Sequence, residues 1–204
     1  GTDTGVRTKL GMTKRWVNHQ GHQFNTQLLA SEIITHLSAE YSIPGENPRE
    51  DRYSILFNLI DENSDSVESR SYSIGISKQR QRGSWQQVLA LNYQQEESTF
   101  SDITDTTHFL IPQISYSTIS TRDRLRIKNG YSLSALVRGS SQTLLSTEDF
   151  AQVQLNAKGI YSLSDNVRLL GRTEAGTTWV DNFDLLPASL RFFAGGDNSV
   201  RGYD

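Results

Sequence analysis

The residues with most chemical potential are four histidines and a glycine-rich stretch near residue 204. His19 and His22 are close enough in sequence to share a metal ion, but the chain has no cysteine and no carboxylate stands near them. Ser199 lies three positions from Gly196 and from Gly202, whereas a nucleophilic G-x-S-x-G serine needs glycines two positions away. These spacings favour turn residues over a metal or catalytic site.

The segment DNSVRG at residues 197–202 shares some residue types with a calcium-binding loop. That loop needs an oxygen ligand at its fifth position, where this chain has Arg201. No spacing typical of a phosphate-binding P-loop occurs either. The sequence therefore predicts no enzyme, no metal and no cofactor.

Composition excludes several classes of protein. A net charge of -3 and a pI of about 5.8 argue against a nucleic-acid partner. Mean hydropathy is -0.52, and no run approaches the roughly 18 consecutive apolar residues of a membrane-spanning helix. The first residues, GTDTGVRTK, lack the apolar run of a signal peptide. We expect the chain to be a piece of a longer precursor.

Apolar and polar residues alternate from one end of the chain to the other, which is the pattern of β-strands. Among residues 6–16, for example, Leu10 and Met12 fall on one face and Lys9 and Thr13 on the other. Ten such runs are predicted, at 6–16, 24–30, 37–43, 53–59, 72–76, 89–93, 110–116, 133–137, 153–163 and 167–179. No linker interrupts them, so residues 1–204 form one domain.

The connections between the runs differ in length. Residues 18–21, 80–84 and 165–166 read as tight polar turns, which join antiparallel neighbours. Residues 61–69 and 96–107 read as longer, acidic loops. The sequence therefore predicts an antiparallel sheet built from hairpins.

Alternation alone fits both a soluble β-sandwich and a transmembrane β-barrel. Three features favour the barrel: aromatic residues near strand ends, charges in mid-strand on the polar face, and small residues on the apolar face. The aromatic residues are Trp16, Tyr53, Trp85, Tyr93, Tyr116, Tyr131 and Trp179. The mid-strand charges are Lys9, Glu40, Lys158, Arg172 and Glu174.

Residues 186–204, LPASLRFFAGGDNSVRGYD, resemble the sixth extracellular loop of the outer-membrane assembly and translocation barrels, the superfamily of BamA, TamA and the two-partner secretion transporters. The residues that carry the motif are Gly195, Gly196, Ser199, Val200, Arg201, Gly202 and Tyr203. The lead-in LPASLRFFAGG, with Phe192 and Phe193, is most similar to the TamA-like members. The opening GTDTGVR also resembles the short loop and second strand of these barrels.

The resemblance implies an incomplete barrel. The ten strands would be the second to eleventh of a sixteen-stranded transmembrane β-barrel, whose other strands and POTRA domains lie outside this sequence. Counted this way, the tenth predicted run points outward, so residues 181–204 form the extracellular loop that folds back into the lumen. In the superfamily the arginine of this loop, here Arg201, docks on strands that follow the motif.

The resemblance also implies a function. TamA-like barrels reside in the bacterial outer membrane and help to insert or translocate other outer-membrane proteins, such as autotransporters. Their partners are the lipid bilayer, client proteins and a TamB-like protein anchored in the inner membrane. The alternatives are BamA-like general insertion, two-partner secretion, a passive porin-like channel and a soluble β-sandwich binding module.

Overall fold

The computed structural model describes residues 7–64, 67–100, 103–121, 128–164 and 167–191. Ten antiparallel strands form one sheet, ordered as they occur in the sequence. The strands are β1 (Arg7–Lys14), β2 (Gln23–Ser31), β3 (Ile34–Pro44), β4 (Asp51–Ser64), β5 (Val67–Arg82), β6 (Trp85–Phe100), β7 (Ile103–Thr121), β8 (Asn129–Ser140), β9 (Phe150–Ser162) and β10 (Arg168–Val180). The predicted all-β antiparallel fold of ten strands is confirmed. Of the described helices, all short, none is long and apolar enough to cross a membrane.

Two of the predicted tight turns are observed, and a glycine makes each possible. In the turn between β1 and β2, the amide of Gly21 donates to the carbonyl of Asn18 at 3.1 Å, and Gly21 has a φ of 78°. Between β5 and β6, Arg82 pairs directly with Trp85, so only two residues turn the chain and Gly83 takes a φ of 61°. Residues with a Cβ adopt such angles at a cost. The third predicted turn, at 165–166, lies outside the described residues.

The prediction of long acidic loops at 61–69 and 96–107 is wrong. The strand β4 continues to Ser64, β5 begins at Val67, β6 ends at Phe100 and β7 begins at Ile103. The backbone stays paired here although the apolar alternation has stopped, because hydrogen bonding does not depend on side-chain polarity. Since β6 is longer than predicted, Tyr93 lies in the middle of its strand rather than near the end.

The two faces of the sheet differ in polarity, as the alternation predicts. One row of cross-strand neighbours, which we assign to the apolar face, consists of Ile55, Ile76, Leu91 and Pro112. The adjacent row, on the polar face, consists of Ser54, Ser77, Ala90, Gln113, Arg138, Gln152 and Thr178. In the central part of these strands, every other residue therefore contributes to one continuous apolar surface.

Two ion pairs mark the limits of the apolar face on β4 and β5. At one end Arg80 Nε lies 3.5 Å from Asp51 Oδ1, and at the other Arg70 Nη2 lies 2.7 Å from Asp61 Oδ2. The two aspartates are ten residues apart on β4, which corresponds to about 33 Å of extended strand. A barrel strand tilted by about 40° covers about 25 Å of membrane thickness in that length, which is the usual height of the apolar band.

We expect the apolar face to contact lipid in the complete protein. Since the chain has no cysteine, single cysteines at Leu155 and Ala157 can be compared with cysteines at Gln154 and Asn156, their neighbours on the polar face of β9. An aqueous thiol reagent should label the polar-face pair at least about tenfold faster, because thiolates do not form in hydrocarbon. Faster labelling at Leu155 and Ala157 would show that the faces are assigned the wrong way round.

Candidate functional site

The predicted loop motif follows directly on a segment that the structure does describe. Phe192, Phe193, Gly195, Gly196, Ser199, Val200, Arg201, Gly202 and Tyr203 all lie outside the described residues. Residues 181–191, here called the entry segment, connect β10 to them. The site is therefore built from the entry segment and from the strands that it contacts.

The entry segment is compact because it contains two short 3₁₀ turns, Phe183–Leu185 and Ala188–Leu190. The amide of Leu190 donates to the carbonyl of Pro187 at 2.9 Å, which closes the second turn. Arg191 then folds back: its Nε donates to the carbonyl of Leu186 at 2.7 Å and its guanidinium lies 4.8 Å from the ring centre of Phe183. These contacts satisfy backbone groups locally and fix the shape of the segment.

A small apolar cluster attaches the entry segment to the polar face. Leu186 and Leu190 are buried against Phe109 and Ile111 of β7 and Phe150 of β9, each of the five at most 5% exposed. The rings of Phe109 and Phe150 meet edge to face with centres 5.9 Å apart. Burial of a leucine side chain stabilises by about 1.5–3 kcal/mol, so the two leucines contribute substantially to holding the segment in place.

Gln152 of β9 ties the entry segment to two further strands. Its side chain is 1% exposed. The Nε2 group donates to Thr178 Oγ1 of β10 at 2.7 Å and to the carbonyl of Leu190 at 2.8 Å, while Oε1 accepts from Arg138 Nε of β8 at 2.6 Å. The side-chain amide of glutamine has an NH₂ group that can donate two hydrogen bonds and an oxygen that can accept them. In Gln152, both donors and the acceptor are engaged.

Ser189 extends the attachment to β6, on the far side of β7. Gln94 Nε2 donates to Ser189 Oγ at 2.7 Å, and Ser189 Oγ donates to Glu96 Oε2 at 3.1 Å. Glu96 is buried, and Gln94 Nε2 also donates to its carboxylate at 3.3 Å. The entry segment therefore crosses the polar face from β10 to β6.

The connection between β8 and β9 supports the segment at its start. Glu148 is buried, accepts the amide of Asn182 at 3.1 Å on Oε1, and accepts Gln142 Nε2 at 2.9 Å on Oε2. The same connection covers the part of β7 that β8 does not pair. There the amide of His108 donates to Thr147 Oγ1 at 3.0 Å, and that of Leu110 to Ser146 Oγ at 2.9 Å.

Among the described residues, no group of His, Asp or Glu side chains is arranged to hold a metal ion. His22 Nδ1 instead lies 2.8 Å from the hydroxyl of Tyr41, with the two rings edge to face. The contacts that do form a site, at Gln152, Glu96 and Phe109, were missed by the sequence reasoning. One signal was available: residues 109–111, FLI, place apolar side chains on both faces of β7.

The architecture is that of part of a β-barrel wall, an antiparallel sheet with one apolar and one polar face, and a folded chain segment lies against the polar face. The model of the Omp85 superfamily domain matches residues 17–204. This chain belongs to the Omp85 superfamily, whose members are outer-membrane proteins that assemble or transport other proteins.

A solved structure shares the fold. The crystal structure of BamA from Haemophilus ducreyi lacking POTRA domains 1–3 aligns with a TM-score of 0.80 at 13% sequence identity. The alignment covers 98% of this chain and 43% of the BamA chain. The chain therefore spans less than half of that protein, and its ten strands correspond to part of a barrel.

We expect Gln152 to hold the entry segment in the lumen. In the complete protein, Gln152→Leu would leave the Leu190 carbonyl and the Arg138 guanidinium without their partner, which costs about 1–3 kcal/mol for each buried group. Limited proteolysis of residues 181–204 in outer-membrane vesicles should become about tenfold faster or more. The matched control is Gln154→Leu, two residues along the same face, because Gln154 bonds to Glu174 rather than to the entry segment. Equal proteolysis of the two variants would contradict the role of Gln152.

Proposed function

We propose that this chain is the central part of a TamA-like barrel that inserts or translocates other proteins of the bacterial outer membrane. Its clients include autotransporters, and it works with a TamB-like partner anchored in the inner membrane. The observation that carries the proposal is the entry segment, which returns from the end of β10 to the polar face and contacts β6, β7 and β9. We therefore expect the motif that follows this segment to lie inside the barrel.

The contacts give a physical role to the lead-in sequence that resembles the TamA-like members. Within LPASL, Leu186 and Leu190 are buried in the apolar cluster, Pro187 closes the second turn, and Ser189 bonds to Gln94 and Glu96. The side chains of LPASL therefore fit the residues that they contact on the polar face of this sheet. This match supports a TamA-like assignment within the superfamily.

A passive channel is disfavoured by the same contacts. Such a channel works by keeping its lumen open to water, whereas here a folded segment lies against the polar face and contacts β6, β7 and β9. The segment is held by buried polar side chains, among them Gln152 and Glu96. Burying such a side chain costs free energy unless it is hydrogen-bonded. We infer that the segment serves to position the loop motif.

Arg201 is the residue of the motif that we expect to fix the loop tip. A guanidinium offers five donors in a rigid, planar arrangement, and a lysine cannot reproduce that geometry. Its partners are expected on strands that follow this chain in the complete barrel. The entry segment and Arg201 would then attach the loop at two separate parts of the wall.

In the complete protein, Arg201→Ala should lower autotransporter export about tenfold or more, because loss of a charge-assisted contact costs about 1.5–3 kcal/mol. Arg201→Lys should recover only part of the export. The measurement is surface display of an autotransporter passenger in cells that carry the variant as their sole copy. The control is Arg52→Ala, a change of the same type on the polar face of β4, between Pro44 and Gln79.

Two outcomes would count against the proposal. Wild-type export in both Arg201 variants would show that the motif does not act in assembly. A parallel fall in the total outer-membrane protein of the Arg201→Ala strain would indicate general insertion of the BamA type rather than a TamA-like role.

A further inference from the structure

The apolar face carries a groove that crosses several strands. It has a volume of about 1220 Å³, which exceeds the roughly 300–1,000 Å³ typical of pockets for drug-sized ligands. Two parallel rows of apolar-face residues form its sides. The residues that lie between these rows in the sequence belong to the polar row described above, which is assigned to the opposite face of the sheet. One side consists of Tyr53, Lys78, Leu89, Ile114 and Val137, and the other of Ile55, Ile76, Leu91 and Pro112.

The groove runs obliquely across the apolar face. Tyr53 lies two residues from the start of β4, whereas Val137, in the same cross-strand row, lies eight residues from the start of β8. The resemblance implies that β10 runs outward, and β4 and β8 run in the same direction as β10. The starts of β4 and β8 therefore face the periplasm in this orientation. The groove therefore begins near the periplasmic edge of the apolar band and rises strand by strand toward the opposite ends of β8 and β9.

The shallow end of the groove carries a positive charge. The ammonium of Lys78 lies 5.0 Å from the ring centre of Tyr53. Asp51, one row nearer the edge, is engaged by Arg80, and Lys78 forms no ion pair with a carboxylate among the described residues. A lysine with a tyrosine at the edge of an apolar band is placed where lipid phosphates lie.

The other end of the groove, here called the deep end, lies at the end of β8 and the start of β9 and is lined by small residues. Gly139 of β8 and Ala151 of β9 are cross-strand neighbours there. Together with Pro112 they leave space where larger side chains would fill the surface. The groove is therefore charged at its periplasmic end and apolar at its other end.

We propose that this groove binds one phospholipid of the periplasmic leaflet, with its phosphate on Lys78 and one acyl chain lying in the groove and directed from β5 toward β9. The charge of Lys78 complements an anionic headgroup, and the two apolar rows match a flexible hydrocarbon chain. The site rests on the membrane orientation proposed above. It is independent of client assembly, and its test uses no assembly readout.

The test is native mass spectrometry of the complete protein in mild detergent, titrated with dioleoyl phosphatidylglycerol or dioleoyl phosphatidylcholine. The wild-type protein should retain one phosphatidylglycerol molecule in preference to phosphatidylcholine. Lys78→Gln should weaken retention of phosphatidylglycerol about fivefold, the effect of one lysine near an anionic lipid surface. Lys78→Arg should restore it.

A second pair of variants tests the acyl-chain part of the groove. Ala151→Leu fills the deep end and should lower retention of both lipids. Ala175→Leu makes the same change on the apolar face of β10, outside the groove, and should leave retention unchanged. The proposal is overturned if the wild type shows no preferential retention, or if Lys78→Gln and Ala151→Leu retain lipid as the wild type does.

Discussion

The constraint on which this structure depends is that a strand in hydrocarbon must satisfy its backbone hydrogen bonds with neighbouring strands. Water is absent there, and each unpaired amide or carbonyl costs several kcal/mol. The ten strands meet this constraint by pairing in sequence order, with a continuous register from β1 to β10. Once the backbone is paired in this way, side chains alternate between the two faces, and the alternation divides the sheet into an apolar outside and a polar inside.

That division creates a difficulty for any segment that must be held inside. A polar wall offers hydrogen bonds, but water competes for most of them, so the net gain of each is about 1 kcal/mol. The chain solves this by placing Phe109, Ile111 and Phe150 on the otherwise polar face, where they pack against two leucines of the entry segment. Water is thereby excluded around Gln152, and its three hydrogen bonds become costly to break.

The same physics explains which features the sequence predicts. Lipid requires an apolar residue at every second position, so the alternation reveals all ten strands. The requirement ends at the membrane edge, and β4 to β7 continue beyond it with no apolar signal. The sequence therefore predicted ends of β4 and β6 that are too early and starts of β5 and β7 that are too late. The sequence of β9 alone does not predict that Gln152 is buried. Its burial depends on Leu190, which is 38 residues further along the chain. The loop motif was found through resemblance, and its residues lie outside the described structure.

The central claim is that residues 181–191 lie against the polar face of the barrel wall, and a cysteine cross-linking test addresses it directly. Gln94 Nε2 and Ser189 Oγ are 2.7 Å apart, and the chain has no cysteine of its own. Cysteines introduced together as Gln94→Cys and Ser189→Cys in the complete protein should be joined in intact cells by a short bifunctional thiol cross-linker, which makes up for the shorter side chain of cysteine. The pair Tyr93→Cys and Ser189→Cys, with Tyr93 on the apolar face, should not. Absence of the first cross-link, or equal formation of both, would contradict the account.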